Sequence, residues 1–343
     1  RRRARETIKE QETSTADIFE VDDPVKEGVV EPSDPLRESL KRRVQDSYER
    51  CLEGTKDVLR PLSQGLIEDA KTLYDTGQPI FEVAWDMQSA LLYVLADVEG
   101  SEEEDYLFPY SLHTCMISVL LAKEMGYDRA ETRRVGVAGL VHDVGMLKIP
   151  QHIRLKEGDL SDNQYQMIQS HPERGARILS NVERLETSVE RVAAEHHEQV
   201  DGSGYPLGVD HEDIHPHARI VNLAMTYVAM TQERSHRSSL SAQESIRELV
   251  QSERKSYDDR VLKAFLKRFG LYPPGTFGRL NTGQLVLVLR AERDDPKNPY
   301  VKVLTTPDNE PLDDFYTVEL SNYDVRITDT VRDSGLGSAL DLA

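Results

Sequence analysis

The chain has only two cysteines in 343 residues, Cys51 and Cys115, and neither stands at a metal-ligand or redox spacing. A disulfide framework, a thiolate zinc site and a dithiol redox centre are excluded, and a reducing compartment fits. No uninterrupted apolar stretch approaches the roughly 18 residues needed to cross a bilayer, so no membrane span is expected. Positive charge is in deficit, with 42 Lys+Arg against 61 Asp+Glu and a net charge of −19. Such a surface repels a polyphosphate backbone, so long nucleic acid is not an expected partner, and a nucleotide ligand would need a locally positive or metal-charged pocket. The chain begins without Met and without the apolar core of a signal peptide, and reads as a cytoplasmic protein starting at a fragment boundary. What is present, 38% hydrophobic and 30% charged residues, describes a globular chain with length for two or three domains.

Residues 1–35 mix Arg, Glu, Asp, Ser, Thr and Pro without a sustained apolar period and read as a solvated tail. From 36 to 104 an N-terminal helical segment is expected, with Leu40, Val44, Tyr48, Leu59 and then Ala84, Met87, Leu91, Leu92 and Leu95 at three- and four-residue intervals. Two readings of its apolar faces stay open: a homodimer seam, or packing onto the domain that follows. Residues 105–275 form the main helical domain and carry most of the ten histidines. Beyond it, Leu285–Leu289, Tyr300–Leu304, Tyr316–Leu320 and Val325–Ile327 are short β-prone runs separated by turn residues, predicting a small antiparallel appendage of three or four strands over 276–330. Residues 331–343 read as a tail. The expected fold class is therefore mainly α, a helical bundle with preceding helices and a small C-terminal antiparallel β appendage.

Four pieces of the helical domain carry chemistry. His113 shares a helical face with Ile117, Leu120 and Glu124, and alone it reads as a buried, hydrogen-bonded histidine. His142 and Asp143 end an apolar segment in which Gly136, Ala138 and Gly139 permit close helix approach. Two polar groups brought into a core need strong partners; a divalent cation is one, a simple His-Asp hydrogen bond another. Ser161 and Gln164 form a possible capping box, and Pro172 suits a helix start, placing His171 at a helix junction. His196 and His197 end a Val189, Val192, Ala193 stripe and run into the Gly-rich sequence DGSGYP; adjacent histidines point about 100° apart, so both serve one site only at a helix end or around more than one ion. The separations are 29 residues from His113 to His142, 28 from Asp143 to His171 and 25 from His171 to His196. Each fits one helix-loop-helix passage, so successive helices can aim these groups at one point.

HDVGMLKIP at 142–150, HPERGARIL at 171–179 and HHEQVDGSGYP at 196–206 together resemble the HD-GYP family, the cyclic di-GMP phosphodiesterases of the HD phosphohydrolase superfamily, over roughly residues 105–275. The resemblance implies an HD-type helical bundle, two divalent ions (iron or manganese) and hydrolysis of cyclic di-GMP to linear pGpG and onward to GMP in bacterial signalling. Position by position it implies His113, His142, Asp143, His171, His196 and His197 as metal ligands, with His142 and Asp143 at the catalytic centre. It also implies Gly204, Tyr205 and Pro206 as the loop meeting the nucleotide and a partner diguanylate cyclase domain, and Arg234 and Arg237 as phosphate-binding residues.

The departures are specific. Met225 stands where the resemblance expects a last carboxylate ligand, and a thioether does not neutralise a hard ion. Pro109 replaces a glutamate that accompanies a third ion. Met146 replaces the lysine of HDxGK, with Lys148 as a substitute if the turn presents it to the same cavity. The leading reading is a metal-dependent cyclic di-GMP phosphodiesterase; the rival is a degenerate domain that binds a cyclic dinucleotide or a protein without turnover. A nucleotidase acting on mononucleotides would not need the GYP loop.

Overall fold

The computed structural model describes residues 34–86, 105–156, 158–232, 240–251, 254–293 and 295–331. Most of the expected tails (1–33 and 332–343), the helical reading at 87–98, and Arg234 and Arg237 lie outside the described residues; residues 34 and 35, expected in a tail, open the first helix, and 331 ends the last strand.

The fold is mainly α with a small C-terminal antiparallel sheet. Its centre is α3 (Leu107–Glu124), buried on every side from Leu107 to Ala122, as expected of a helix that is apolar all round. α1 (Asp34–Gln64) and α2 (Ala70–Asp86) pack against it, and their Val58, Leu59, Leu62, Leu73, Ile80 and Phe81 belong to the same core as Phe108, Leu112 and Met116 of α3. The apolar faces of the first two helices are thus covered, at least in part, within the chain.

α4 (Arg129–Val141) starts at Asp128, whose carboxylate accepts from the Glu131 N–H at 2.7 Å, and ends at His142. It crosses α3 closely: a methyl group at Gly139 would lie 3.2 Å from the Cys115 Cα and 3.0 Å from the Ser118 Oγ. A 3₁₀ turn, Val144–Lys148, follows Asp143, then α5 (Gln151–Arg154) and α6 (Asp162–Gln169). The Ser161–Gln164 capping box forms with both of its bonds. α7 (His171–Leu179) and α8 (Thr187–Glu195) then bring in His171 at one helix start and His196 just past the other's end. α9 (Pro216–Thr231), α10 (Ala242–Gln251) and α11 (Asp259–Phe269) complete the bundle, with α9 and α11 against α3.

The sheet has five strands in the order β4-β3-β2-β1-β5, all antiparallel: β1 (Phe277–Leu280), β2 (Leu285–Arg290), β3 (Tyr300–Thr305), β4 (Pro311–Glu319) and β5 (Ile327–Val331). The expectation of three or four strands missed β1, whose four residues include Gly278. It is held by neighbours on both edges rather than by its own β preference. Leu280, Val286, Val288, Val301, Val303, Leu320 and Ile327 form a core separate from that of the helices.

Two contacts fix how the site elements meet. Gly145 lies against the start of α7 so tightly that a methyl group there would stand 2.0 Å from the His171 carbonyl oxygen and 2.6 Å from the Gly175 nitrogen. Gly145→Ala should therefore push the turn after Asp143 away from His171, at a cost of about 1–3 kcal/mol, seen as a lower Tm together with weaker divalent-ion retention. Asp258 caps α11 through the Arg260 N–H (2.8 Å), meets Arg219 of α9 at 2.6 Å and is 3.0 Å from the His211 ring. Burial raises its pKa, but the Arg260 N–H, His211 and Arg219 outweigh that and bring it down to about 2. A depressed carboxylate adds stability that is full above the unfolded value of about 3.9 and is lost as pH falls through the folded value. Asp258→Asn should lower Tm at pH 7 and flatten the loss of stability between about pH 4 and pH 2; a wild-type acid limb in the variant would refute this.

Candidate metal centre

The centre is built from helix ends. His142 closes α4, Asp143 opens the 3₁₀ turn, His171 opens α7, and His196 and His197 follow α8. The turn after α8 is held from behind by Asn222 of α9, whose amide donates to the His196 carbonyl at 2.7 Å and the Glu198 carbonyl at 3.3 Å. His171 Nε2 lies 3.0 Å from Asp143 Oδ1, His196 Nε2 lies 3.5 Å from the same oxygen, and His142 Nε2 is 3.7 Å from Oδ2. The two Nε2 atoms of His171 and His196 are 3.0 Å apart.

The other ring nitrogens explain this crowding. Nδ1 of His142 meets the Gly139 carbonyl at 2.8 Å, Nδ1 of His171 the Ile168 carbonyl at 2.7 Å, and Nδ1 of His196 the Ala193 carbonyl at 3.0 Å. A carbonyl only accepts, so each Nδ1 carries a proton and each ring turns its Nε2 inward, a lone-pair donor wherever that nitrogen is deprotonated. Burial favours the neutral form, pushing His142 down to about 4, lowering His196, and, with the added field of His196, holding His197 well below its ordinary value. Burial alone would raise Asp143, but His171 and His142 overcome it and keep the carboxyl well below the usual range. The result is a buried set of acceptors facing one another, with His142 Nε2 lacking any hydrogen-bond partner. Lone pairs so arranged repel unless a cation lies among them. The ligand atoms of Asp143, His171, His196 and His197 all fall within 4.8 Å of one another, a nitrogen and oxygen donor set that suits a divalent transition ion.

His113 does not join this group. The Gln232 amide donates to its Nδ1 at 2.7 Å, and its Nε2 is 3.0 Å from the Tyr48 hydroxyl of α1. Both ring nitrogens are engaged, so the expected set of His113, His142 and Asp143 is not assembled here. Met225 is buried in the core, and its carbonyl accepts from the Tyr110 hydroxyl at 3.2 Å. The donor atoms gathered closely are therefore those of Asp143, His171, His196 and His197, with His142 Nε2 next to them at 3.7 Å from Asp143 Oδ2.

Asp143, His171 and His197 open into a cavity of about 750 Å³, of the size of small-molecule sites. Tyr205 lines it, its ring stacked on His197 at 4.5 Å and 15°. Glu198, 2% exposed, shapes the loop by accepting from the Leu207 N–H at 2.6 Å and the Val209 N–H at 3.2 Å. Gly204 is required by contact: a methyl group there would stand 2.4 Å from the Gln199 nitrogen. Pro206 is exposed, and Lys148 is exposed and not among the cavity-lining residues, so the turn does not present it as a substitute for the missing HDxGK lysine. Met146 lines the cavity instead. Among the other liners, sequence reading gave no site role to Tyr106, Tyr110, Arg154, Lys156 and Tyr165. None carries a motif; the one signal was Arg154 and Lys156 as cations shortly after a histidine-aspartate pair.

A family model for the HD domain matches residues 103–261. The chain is 33% identical over 269 residues to a protein of Pseudomonas aeruginosa named as a cyclic di-GMP phosphodiesterase, covering 78% of this chain and 65% of that protein. It is 28% identical over 200 residues to one so named from Borreliella burgdorferi (58% and 52%), and 35% identical over 153 residues to one from Thermotoga maritima (44% and 41%). The chain spans less than two thirds of the length of each. A solved structure of a Bdellovibrio bacteriovorus protein described as HDG"Y"P shares the fold, with a TM-score of 0.53 at 17% identity over 65% of this chain and 70% of that one. Among the described residues no helix is long and apolar enough to cross a membrane. Residues 103–261, which match the HD domain model, hold the histidine-aspartate centre and the GYP loop, and it is over this region and its flanks that the chain is similar to these relatives.

Proposed function

We propose that this chain is a metal-dependent phosphodiesterase that hydrolyses cyclic di-GMP to linear pGpG, and then toward GMP, in the bacterial cytoplasm. The observation that carries this reading is the convergence of histidine Nε2 atoms on Asp143 beside a cavity large enough for a nucleotide. Names of the relatives point the same way.

His171, His196, His197 and Asp143 would hold one iron or manganese ion, and His142 beside Asp143 would help to hold a second. When bound, such ions supply Lewis-acid polarisation of the phosphoryl group and acidify a water for attack on phosphorus. The protein's own part is to orient the imidazoles through their Nδ1 bonds, to keep Asp143 ionised, and to hold the Tyr205 ring against His197, where it can meet a base of the substrate. The second place is the poorer one, because His113 is spent on Tyr48 and Gln232 and Met225 offers no carboxylate. Arg234 and Arg237 remain proposed phosphate contacts. Pro206 and the neighbouring Leu207, 71% exposed, are the edge at which a diguanylate cyclase domain would dock.

Metal analysis of protein purified without chelator should find one ion held through dialysis and a second that exchanges readily, with His171→Ala removing the first. With Mn²⁺ or Fe²⁺ added, chromatography should show cyclic di-GMP converted to pGpG, and Asp143→Asn should slow this on the order of a hundredfold or more. Unchanged cyclic di-GMP with full metal loading would overturn the hydrolase reading in favour of a binding module. His113→Asn should retain the tight ion, since its ring is engaged outside the donor group; loss of that ion would assign His113 to the centre after all.

A further inference from the structure

Two cations line the cavity beside the metal centre, Arg154 from the end of α5 and Lys156 just beyond it. They are unequally free. Lys156 spends its ammonium on the Asp159 carbonyl at 2.5 Å and the Gln164 side chain at 3.0 Å. Arg154 is 7% exposed, and its Nη1 is tied to Asp105, the carboxylate that also accepts from the Leu107 N–H at 3.2 Å where α3 begins. Its Nε is buried and has no hydrogen-bond partner. A buried guanidinium N–H left unpaired is costly, and the planar fork of arginine matches the oxygens of a phosphate. The turn after Asp143 sends no charge into this space, because Met146 packs with Leu107, Ile149 and Ile153. The other charged liners are the carboxylates Asp143, Asp159 and Asp162, so apart from ions held by the centre, Arg154 and Lys156 are the cations this wall offers an anionic substrate.

We infer that Arg154 binds a non-bridging phosphate oxygen of the substrate and so serves as a specificity-determining residue for phosphodiesters, with Asp105 as its positioning partner. This rests on the phosphodiesterase reading above.

The test compares wild type, Arg154→Met and Arg154→Lys. KM and kcat are measured with Mn²⁺ for cyclic di-GMP and for bis(p-nitrophenyl) phosphate, and calorimetry gives the affinities for cyclic di-GMP and for guanosine, which has no phosphate. Arg154→Met should raise KM for both phosphodiesters and weaken cyclic di-GMP binding by about ten- to a hundredfold, with guanosine affinity unchanged; Arg154→Lys should fall between it and wild type. Equal losses for guanosine and cyclic di-GMP would mean that Arg154 only supports the wall, and an unchanged KM would remove it from substrate binding; either overturns the inference. Should Arg154→Met fail to fold, an Arg154→Lys protein with wild-type KM has the same force. Wild type that cleaves bis(p-nitrophenyl) phosphate but leaves cyclic di-GMP intact would defeat the nucleotide reading alone, since the KM for the simple diester still decides Arg154.

Discussion

Three backbone carbonyls, those of Gly139, Ile168 and Ala193, decide the chemistry of the centre. Each lies three residues before a histidine at a helix end and takes the proton-bearing Nδ1 of that ring. The bond fixes both the ring's orientation and its tautomer, so the Nε2 lone pairs are directed inward before any ligand arrives. Burial favours the neutral form of His142 and His196. Asp143 supplies the negative charge that such a set needs if it is to hold a divalent ion.

Placing these ends within a few ångströms of one another is a packing problem, solved where side chains are absent. Gly139 lets α4 sit on α3, and Gly145 lets the 3₁₀ turn touch the start of α7. Gly204 lets the GYP loop fold back on the residues after His197. At the last two sites a single methyl group would strike backbone, which cannot yield as a side chain can. The shape of the site is therefore set as much by missing atoms as by the histidines.

The centre is lopsided, and the surroundings show why. Tyr48 of α1 and Gln232 at the end of α9 occupy both nitrogens of His113. Met225, on the same helix as Asn222, belongs to the core rather than to the donor set. The cavity wall is similarly redistributed: an apolar Met146 beside the aspartate, and the buried cation eight residues later at Arg154. The C-terminal sheet keeps a core of its own and contributes no residue to the lining of this cavity.

Much of this was legible in the sequence. Helical periodicity marked α1 and the bundle; the capping box marked α6; and the spacing of His142-Asp143, His171 and His196-His197 pointed to one meeting place, because a helix end every 25 to 29 residues is what a bundle can converge. Other features were not: which distant groups would hold His113, that Arg154 would line the cavity and keep a buried, unpaired N–H, and that β1 would exist at all. The physical reason is common to all three. Residue type and local period determine which groups are costly to bury and which segments prefer a helix, whereas the partner that satisfies a buried group is 65 residues away for Tyr48 and 119 for Gln232, and only the packed chain brings it within 3 Å.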